Sequence, residues 1–139
     1  MKPTKTIAWL ALAALMTAVG VTHFTATDLY VAFMPKWLPA PRALVYLSGV
    51  AEIALGLALL WPRTTRLAGF GIIALLVAVY PANINHAVVG GIDDPSLPAL
   101  FADPVVAWLR LPLQFLFIAW AWWLTRPPHP GTRPTRTSP

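Results

Sequence analysis

Four long apolar stretches, separated by short polar or proline-containing segments, dominate the hydrophobic pattern of the chain. They cover residues 7–27, 44–61, 67–89 and 105–124. Each stretch reaches or approaches the roughly 20 residues that a helix needs to cross a hydrocarbon layer of about 30 Å. The pattern therefore predicts four transmembrane helices.

The composition supports this interpretation. Hydrophobic residues make up 58% of the 139 residues and charged residues only 11%, whereas a soluble domain carries roughly 25% charged residues. Four spans leave no room for a separate water-soluble core, so we predict an all-α integral membrane protein whose residues 1–125 form one four-helix bundle. The chain has no cysteine, which excludes disulfides, thiol redox chemistry and cysteine-ligated metals. No metal site is predicted.

Two segments outside the spans have a distinct composition. Residues 28–42 mix aromatic residues with three prolines, which predicts a segment lying at the membrane interface after the first helix and argues against one continuous helix there. Residues 126–139 hold five prolines and three arginines, which predicts a disordered, basic, proline-rich tail.

The start of the chain is open to two interpretations. Lys2 and Lys5 precede the first apolar stretch, and this order is also typical of a secretory signal. The apolar run continues as far as Phe24, which favours a span that stays in the protein.

The basic residues flank the apolar stretches, although the net charge of +5 would also suit a nucleic-acid binder. They are not gathered on one face, so we expect no nucleic-acid partner. With a cytoplasmic N-terminus, that side collects Lys2, Lys5, Arg63, Arg66, Arg126, Arg133 and Arg136. The opposite side then keeps Lys36 and Arg42 together with Asp28, Asp93, Asp94 and Asp103. The positive-inside rule therefore predicts that both termini, including the tail, are cytoplasmic.

Polar side chains inside the spans are predicted to gather in the half of the bundle away from the termini. At a rise of 1.5 Å per residue, His23 and Asn83 lie about 24 Å from the cytoplasmic edge, with His86 about 4–5 Å above Asn83. Glu52 and Arg110 lie within roughly 7–12 Å of the outer edge. We therefore predict a polar site in this outer half.

Glu52 and Arg110 are the two charged residues deep in the spans, and we expect them to pair. An unpaired charge at such a depth costs at least about 2.5–3.5 kcal/mol on insertion scales. Gln114, one turn from Arg110, is placed to join the pair. Pro81 removes a backbone donor and is expected to tilt its helix toward the site.

Roles can be assigned to these residues as hypotheses. Glu52 is the candidate proton-handling group and Arg110 its electrostatic partner. The candidate ligand contacts are His23, Asn83, His86 and Gln114. A structural interpretation stays open, since a buried Glu–Arg pair with amide partners can simply fix helix register. Two histidines also suit a haem, but no pocket signature accompanies them, so a haem is disfavoured.

Small residues on the second span predict a close helix contact. Ser48, Glu52 and Gly56 recur every fourth residue and share one face, with Gly49 beside them. Helices in lipid approach each other closely where such small residues line the interface. We therefore assign Gly49 and Gly56 a structural role.

Five short motifs resemble, in order, those of the DoxX family of small bacterial membrane proteins. They are GVTHF (20–24), MPKWLP (34–39), SGVAE (48–52), YPAN (80–83) and RLPLQ (110–114). The resemblance implies a four-helix bundle in the bacterial cytoplasmic membrane. The family is named for a subunit of a thiosulfate:quinone oxidoreductase, and some relatives associate with membrane redox or detoxification complexes. Many members have no assigned activity, and this chain lacks the cysteines of the redox-active relatives.

Two functions follow as alternatives. The first is a redox-associated subunit or accessory whose pocket binds a quinone or another small hydrophobic ligand. The second is a non-catalytic membrane scaffold whose Glu–Arg network is structural. A small transporter or channel is less favoured, because the inner half has no polar lining. The expected partners are the lipid bilayer, membrane or periplasmic redox proteins and further copies of the chain.

Overall fold

The computed structural model describes residues 3–90, 92 and 99–126, and every regular element within them is helical. The elements are α1 (Pro3–Thr25), α2 (Thr27–Phe33), α3 (Pro41–Leu59), α4 (Thr65–Val88), a 3-10 turn (Ala99–Phe101) and α5 (Pro104–Thr125). The predicted tail, apart from Arg126, and the acidic pair Asp93 and Asp94 lie outside the described residues.

The four long helices confirm the four predicted spans. α1, α3, α4 and α5 are each long and apolar enough to cross a membrane, so the protein is a multi-pass membrane protein. α3 and α5 each begin with a proline at their first turn, where the missing N–H has no intrahelical partner to lose. The Asp103 carboxylate also accepts a hydrogen bond from the Val105 N–H at 2.8 Å and caps α5.

The interfacial segment predicted after the first span is a short helix followed by a turn. α2 contacts α1, α3 and α4, so it lies across one end of the bundle. The chain leaves α2 at Met34 in an extended conformation. It then turns back through Ala40, whose φ of 48° is left-handed, and enters α3 at Pro41.

Two antiparallel pairs make up the bundle. α1 packs along α3 and α4 packs along α5, while α3 also contacts α4. An apolar core fills the half of the bundle nearest the termini, and its buried members are Leu12, Ala13, Met16, Leu59, Ala68, Ile72, Ala121 and Leu124. This half of the bundle is held by apolar packing.

Large apolar side chains cover the outside of the spans. Ile7, Leu47, Val77 and Leu116, one on each span, are 67%, 66%, 58% and 61% exposed. A water-soluble monomer does not present continuous apolar surface on this scale. Hydrocarbon is therefore the solvent that these faces fit.

Both ends of the described chain meet at the same face of the bundle. The Lys5 ammonium donates a hydrogen bond to the Arg126 carbonyl at 2.6 Å and lies 5.7 Å from the centre of the Trp123 ring. At the opposite face, Arg42 forms an exposed salt bridge with Asp28 at 2.5 Å. Which face is cytoplasmic stays a prediction from the positive-inside rule.

Single cysteines test this orientation, because the natural chain has none. We expect Lys36→Cys, in the turn after α2, to react with a membrane-impermeant maleimide in right-side-out vesicles. Arg63→Cys, in the turn between α3 and α4, should react only after permeabilisation. The unmodified chain gives the background signal. Labelling of Arg63→Cys from outside, with Lys36→Cys protected, would reverse the orientation.

Candidate functional site

A cavity of about 300 Å³ lies in the half of the bundle opposite the apolar core. All five helices contribute to its walls. The apolar lining consists of Leu15, Met16, Val19, Phe33, Met34, Val45, Leu76, Val79, Ala82, Leu113 and Phe117. The polar lining consists of His23, Tyr30, Ser48, Glu52, Asn83, Arg110 and Gln114. Five of the six predicted site residues therefore share this cavity, and the sixth, His86, lies behind Arg110.

Glu52 is the buried acidic group of the cavity, with a relative exposure of 6%. Its Oε2 lies 3.3 Å from Nδ1 of His23. That ring nitrogen also lies 3.0 Å from the Val19 carbonyl, an acceptor one turn earlier on α1. Oε2 itself has no hydrogen-bond partner in the described part of the chain. The site thus contains a carboxyl oxygen that is buried and unsatisfied.

Gly49 brings His23 close to Glu52. A Cβ atom on Gly49 would lie 2.7 Å from the Cβ of His23 and 3.0 Å from the carbonyl oxygen of Gly20, so only glycine permits this approach of α1 to α3. About two turns further along, a Cβ on Gly56 would lie 2.6 Å from the Thr17 hydroxyl. Both predicted structural glycines thus lie in the α1–α3 contact.

The predicted pairing of Glu52 with Arg110 is wrong. Both side chains line the cavity, but no salt bridge joins them. The Arg110 guanidinium instead lies 4.4 Å from the centre of the Phe33 ring, and its Nη1 lies 3.4 Å from Nδ1 of His86. The rotation of α5 and its neighbours explain the error, since they bring Arg110 within reach of the α2 aromatic ring and of His86. A cation over an aromatic face is stabilised by the ring quadrupole.

His86 is fully buried behind Arg110. Its Nε2 lies 3.0 Å from the Phe101 carbonyl, which can only accept, so Nε2 carries a hydrogen and donates. Nδ1 is then free to accept from Arg110. This pattern fits a neutral imidazole that joins the 3-10 turn to α5, and it places His86 in the support of Arg110 instead of in the cavity wall.

Gln114 ties α5 to α4. Its side-chain amide donates to the carbonyl of Leu76, and its own oxygen accepts from the Asn83 amide at 2.5 Å. Leu76 is next to Val77, whose carbonyl loses its usual donor because Pro81 has no N–H. Gln114 therefore adds a side-chain hydrogen bond to α4 beside the carbonyl that Pro81 leaves without a donor, and α4 continues through Pro81 as one helix.

The sequence interpretation missed two contributions from around α2. Tyr30 stacks on His23 with ring centres 3.8 Å apart, and its hydroxyl forms a 2.5 Å hydrogen bond with Thr22. Burial raises the pKa of the Tyr30 hydroxyl above its usual value. Asn85 donates to the Phe33 carbonyl at 3.0 Å and so satisfies the end of α2. The available signal was the Tyr30–Phe33 spacing of three, which puts two aromatic rings on one helical face.

The comparisons with known proteins identify a family without naming an activity. A family model described as Domain of unknown function (DUF8561) matches residues 12–125. This range includes most of α1, all the other described helices and every polar residue of the cavity. No curated protein and no solved structure matches the chain.

Proposed function

The chain belongs to this DUF8561 family, and we propose that it is a redox-associated subunit or accessory of the bacterial cytoplasmic membrane that binds a quinone or a similar small hydrophobic molecule in the cavity. The ligand would lie between the helices, with its polar atoms toward Glu52 and Arg110. In this role Glu52 handles a proton and Arg110 supplies an electrostatic contact.

The observation that carries the proposal is the unsatisfied oxygen of Glu52. Buried polar groups almost always have a hydrogen-bond partner, and a network that serves structure alone is expected to satisfy its own members. Leaving a buried acceptor unpaired costs about 1–3 kcal/mol, and more for a charged group. A ligand hydroxyl that donates to this carboxylate, which lines the cavity, offsets part of the cost. The Asn83 amide donates to the Gln114 oxygen and the Gln114 amide to the Leu76 carbonyl, so these two side chains do not share this property.

The cavity walls support a ligand of this class. A cavity of about 300 Å³ is at the lower end of the range for small-molecule sites, which are mainly apolar with a few placed polar groups. Arg110 presents hydrogen-bond donors among aromatic and aliphatic walls. The five motifs that resemble the DoxX family also support a redox-associated role, with membrane or periplasmic redox proteins as partners.

A non-catalytic scaffold is the second candidate. The α1–α3 contact through Gly49 and the Asn83–Gln114 bridge are structural in character, and both would serve a bundle that stabilises a partner complex. Affinity purification from native membranes separates the candidates. Recovery of this chain alone would count against the scaffold.

Binding measurements on the purified chain test the proposed pocket. Native mass spectrometry is expected to detect one bound molecule per chain after incubation with oxidised or reduced duroquinone. Arg110→Met should weaken binding at least tenfold, about 1.4 kcal/mol, because it removes the donor at one end of the cavity. Arg42→Met, which removes an exposed arginine near the same face, is the matched control. If neither form of the probe binds, or if both variants behave alike, the proposed pocket is wrong.

A further inference from the structure

We infer that the cavity selects a ring that carries a hydroxyl group, as a quinol or phenol does, over a ring whose oxygens are all carbonyls. The inference rests on the proposed function and specifies the hydrogen-bond chemistry of its ligand. It follows from two groups in the cavity wall, Glu52 and Arg110, which demand opposite hydrogen-bond partners; the wall around each is called its end of the cavity.

The Glu52 end presents an acceptor without a donor. Oε2 has no hydrogen-bond partner in the described chain, and the neighbouring hydroxyls are already engaged. Ser48 donates to the Val45 carbonyl at 2.9 Å, and the Tyr30 hydroxyl is paired with Thr22. Nδ1 of His23 is closer to a backbone carbonyl than to the carboxylate. Because Glu52 lines the cavity, a ligand hydroxyl can donate to its carboxylate without breaking these bonds.

The Arg110 end presents donors only. A guanidinium has five N–H groups and no acceptor, and His86 receives one of them at 3.4 Å. Because Arg110 lines the cavity, it can donate to a ligand oxygen there. This contact accepts a hydroxyl, a carbonyl or an ether oxygen equally, so it does not discriminate between oxidation states. Discrimination is assigned to Glu52.

The walls between the two ends fit a ring. Tyr30, Phe33 and Phe117 line the cavity from α2 and α5, and aromatic side chains pack well against a flat ring. A ring that carries a hydroxyl and a second oxygen offers a donor for Glu52 and an acceptor for Arg110. An oxidised quinone offers two acceptors and no donor, so it leaves the ionised Glu52 carboxylate without a partner.

A comparison of matched probes in nanodiscs tests the inference. Durohydroquinone under anaerobic conditions is expected to bind wild-type protein at least tenfold more tightly than duroquinone. Durohydroquinone dimethyl ether, which keeps the ring and loses both donors, should bind no better than duroquinone. The ratios between the affinities of these probes for wild-type protein test the inference without any variant.

Two variants then test whether Glu52 is the residue responsible for this selectivity. Glu52→Gln replaces the carboxyl by an amide that both donates and accepts, so the ratio between the two probes should fall toward one. Asp28→Asn makes the same chemical change at an exposed carboxylate and should keep the wild-type ratio. Equal or tighter binding of duroquinone to wild-type protein would overturn the inference and leave the proposed pocket standing. Binding of neither probe would remove both.

Discussion

Gly49→Leu is expected to be among the most destabilising single substitutions in the bundle, lowering the free energy of unfolding by about 3 kcal/mol, the upper end of overpacking costs. The first added atom already meets the Cβ of His23 at 2.7 Å and the backbone oxygen of Gly20 at 3.0 Å. A Cβ and a carbonyl oxygen are both fixed by the backbone, so neither can move aside without shifting α1. The remaining atoms of leucine therefore force α1 and α3 apart.

Separation of α1 and α3 would also disturb the cavity, since the contact at Gly49 holds His23 beside Glu52. Denaturation of the detergent-solubilised protein, followed by circular dichroism, measures the loss of stability. Ala54→Leu is the matched control, because Ala54 is an exposed small residue on the same helix and leucine suits lipid there. The stability of Gly49→Ala should lie between those of the two leucine variants. If Gly49→Leu and Ala54→Leu unfold at the same denaturant concentration, α1 and α3 do not meet at Gly49.

The span pattern and the depth of each polar residue could be predicted because both depend on distance along a helix. A rise of 1.5 Å per residue placed Glu52, Arg110 and His23 in the same half of the bundle, and the structure has them line one cavity. Partner choice depends on how each helix is rotated and which helices are neighbours. These are set by packing contacts such as Gly20 against Gly49, and a depth count contains no information on them.

The error over Arg110 illustrates this limit. Opposite charge and similar depth made Glu52 the obvious partner, but the aromatic face of Phe33 and Nδ1 of His86 are the groups that Arg110 reaches. Phe33 belongs to α2, whose aromatic residues predict only a segment at the membrane interface. A short amphipathic element can lie on a membrane surface and also close the end of a bundle. The sequence alone does not separate these roles.

Gln114→Leu is the second substitution with a large expected effect, a loss of about 2 kcal/mol of stability, because it removes the two side-chain hydrogen bonds that Gln114 makes, at roughly 1 kcal/mol each. The Leu76 carbonyl loses its side-chain donor, and the Asn83 amide loses its acceptor. Leucine fills similar space, so the change reports hydrogen bonding more than packing. Gln114 is only 4% exposed, which leaves little access for lipid or water to compensate.

A double-mutant cycle identifies which bond carries the loss. Asn83→Leu removes the amide that Gln114 accepts from, so adding it to Gln114→Leu should cost less than the sum of the single changes. The coupling is expected within about 0.6–1.7 kcal/mol, the range seen for hydrogen bonds between membrane helices.

Asn85→Leu is the matched amide control on α4, because Asn85 donates to the Phe33 carbonyl instead and shares no partner with Gln114. Its effect should simply add to that of Gln114→Leu. Additivity for Asn83 as well would mean that the Leu76 carbonyl, and not the amide bridge, is what Gln114 stabilises.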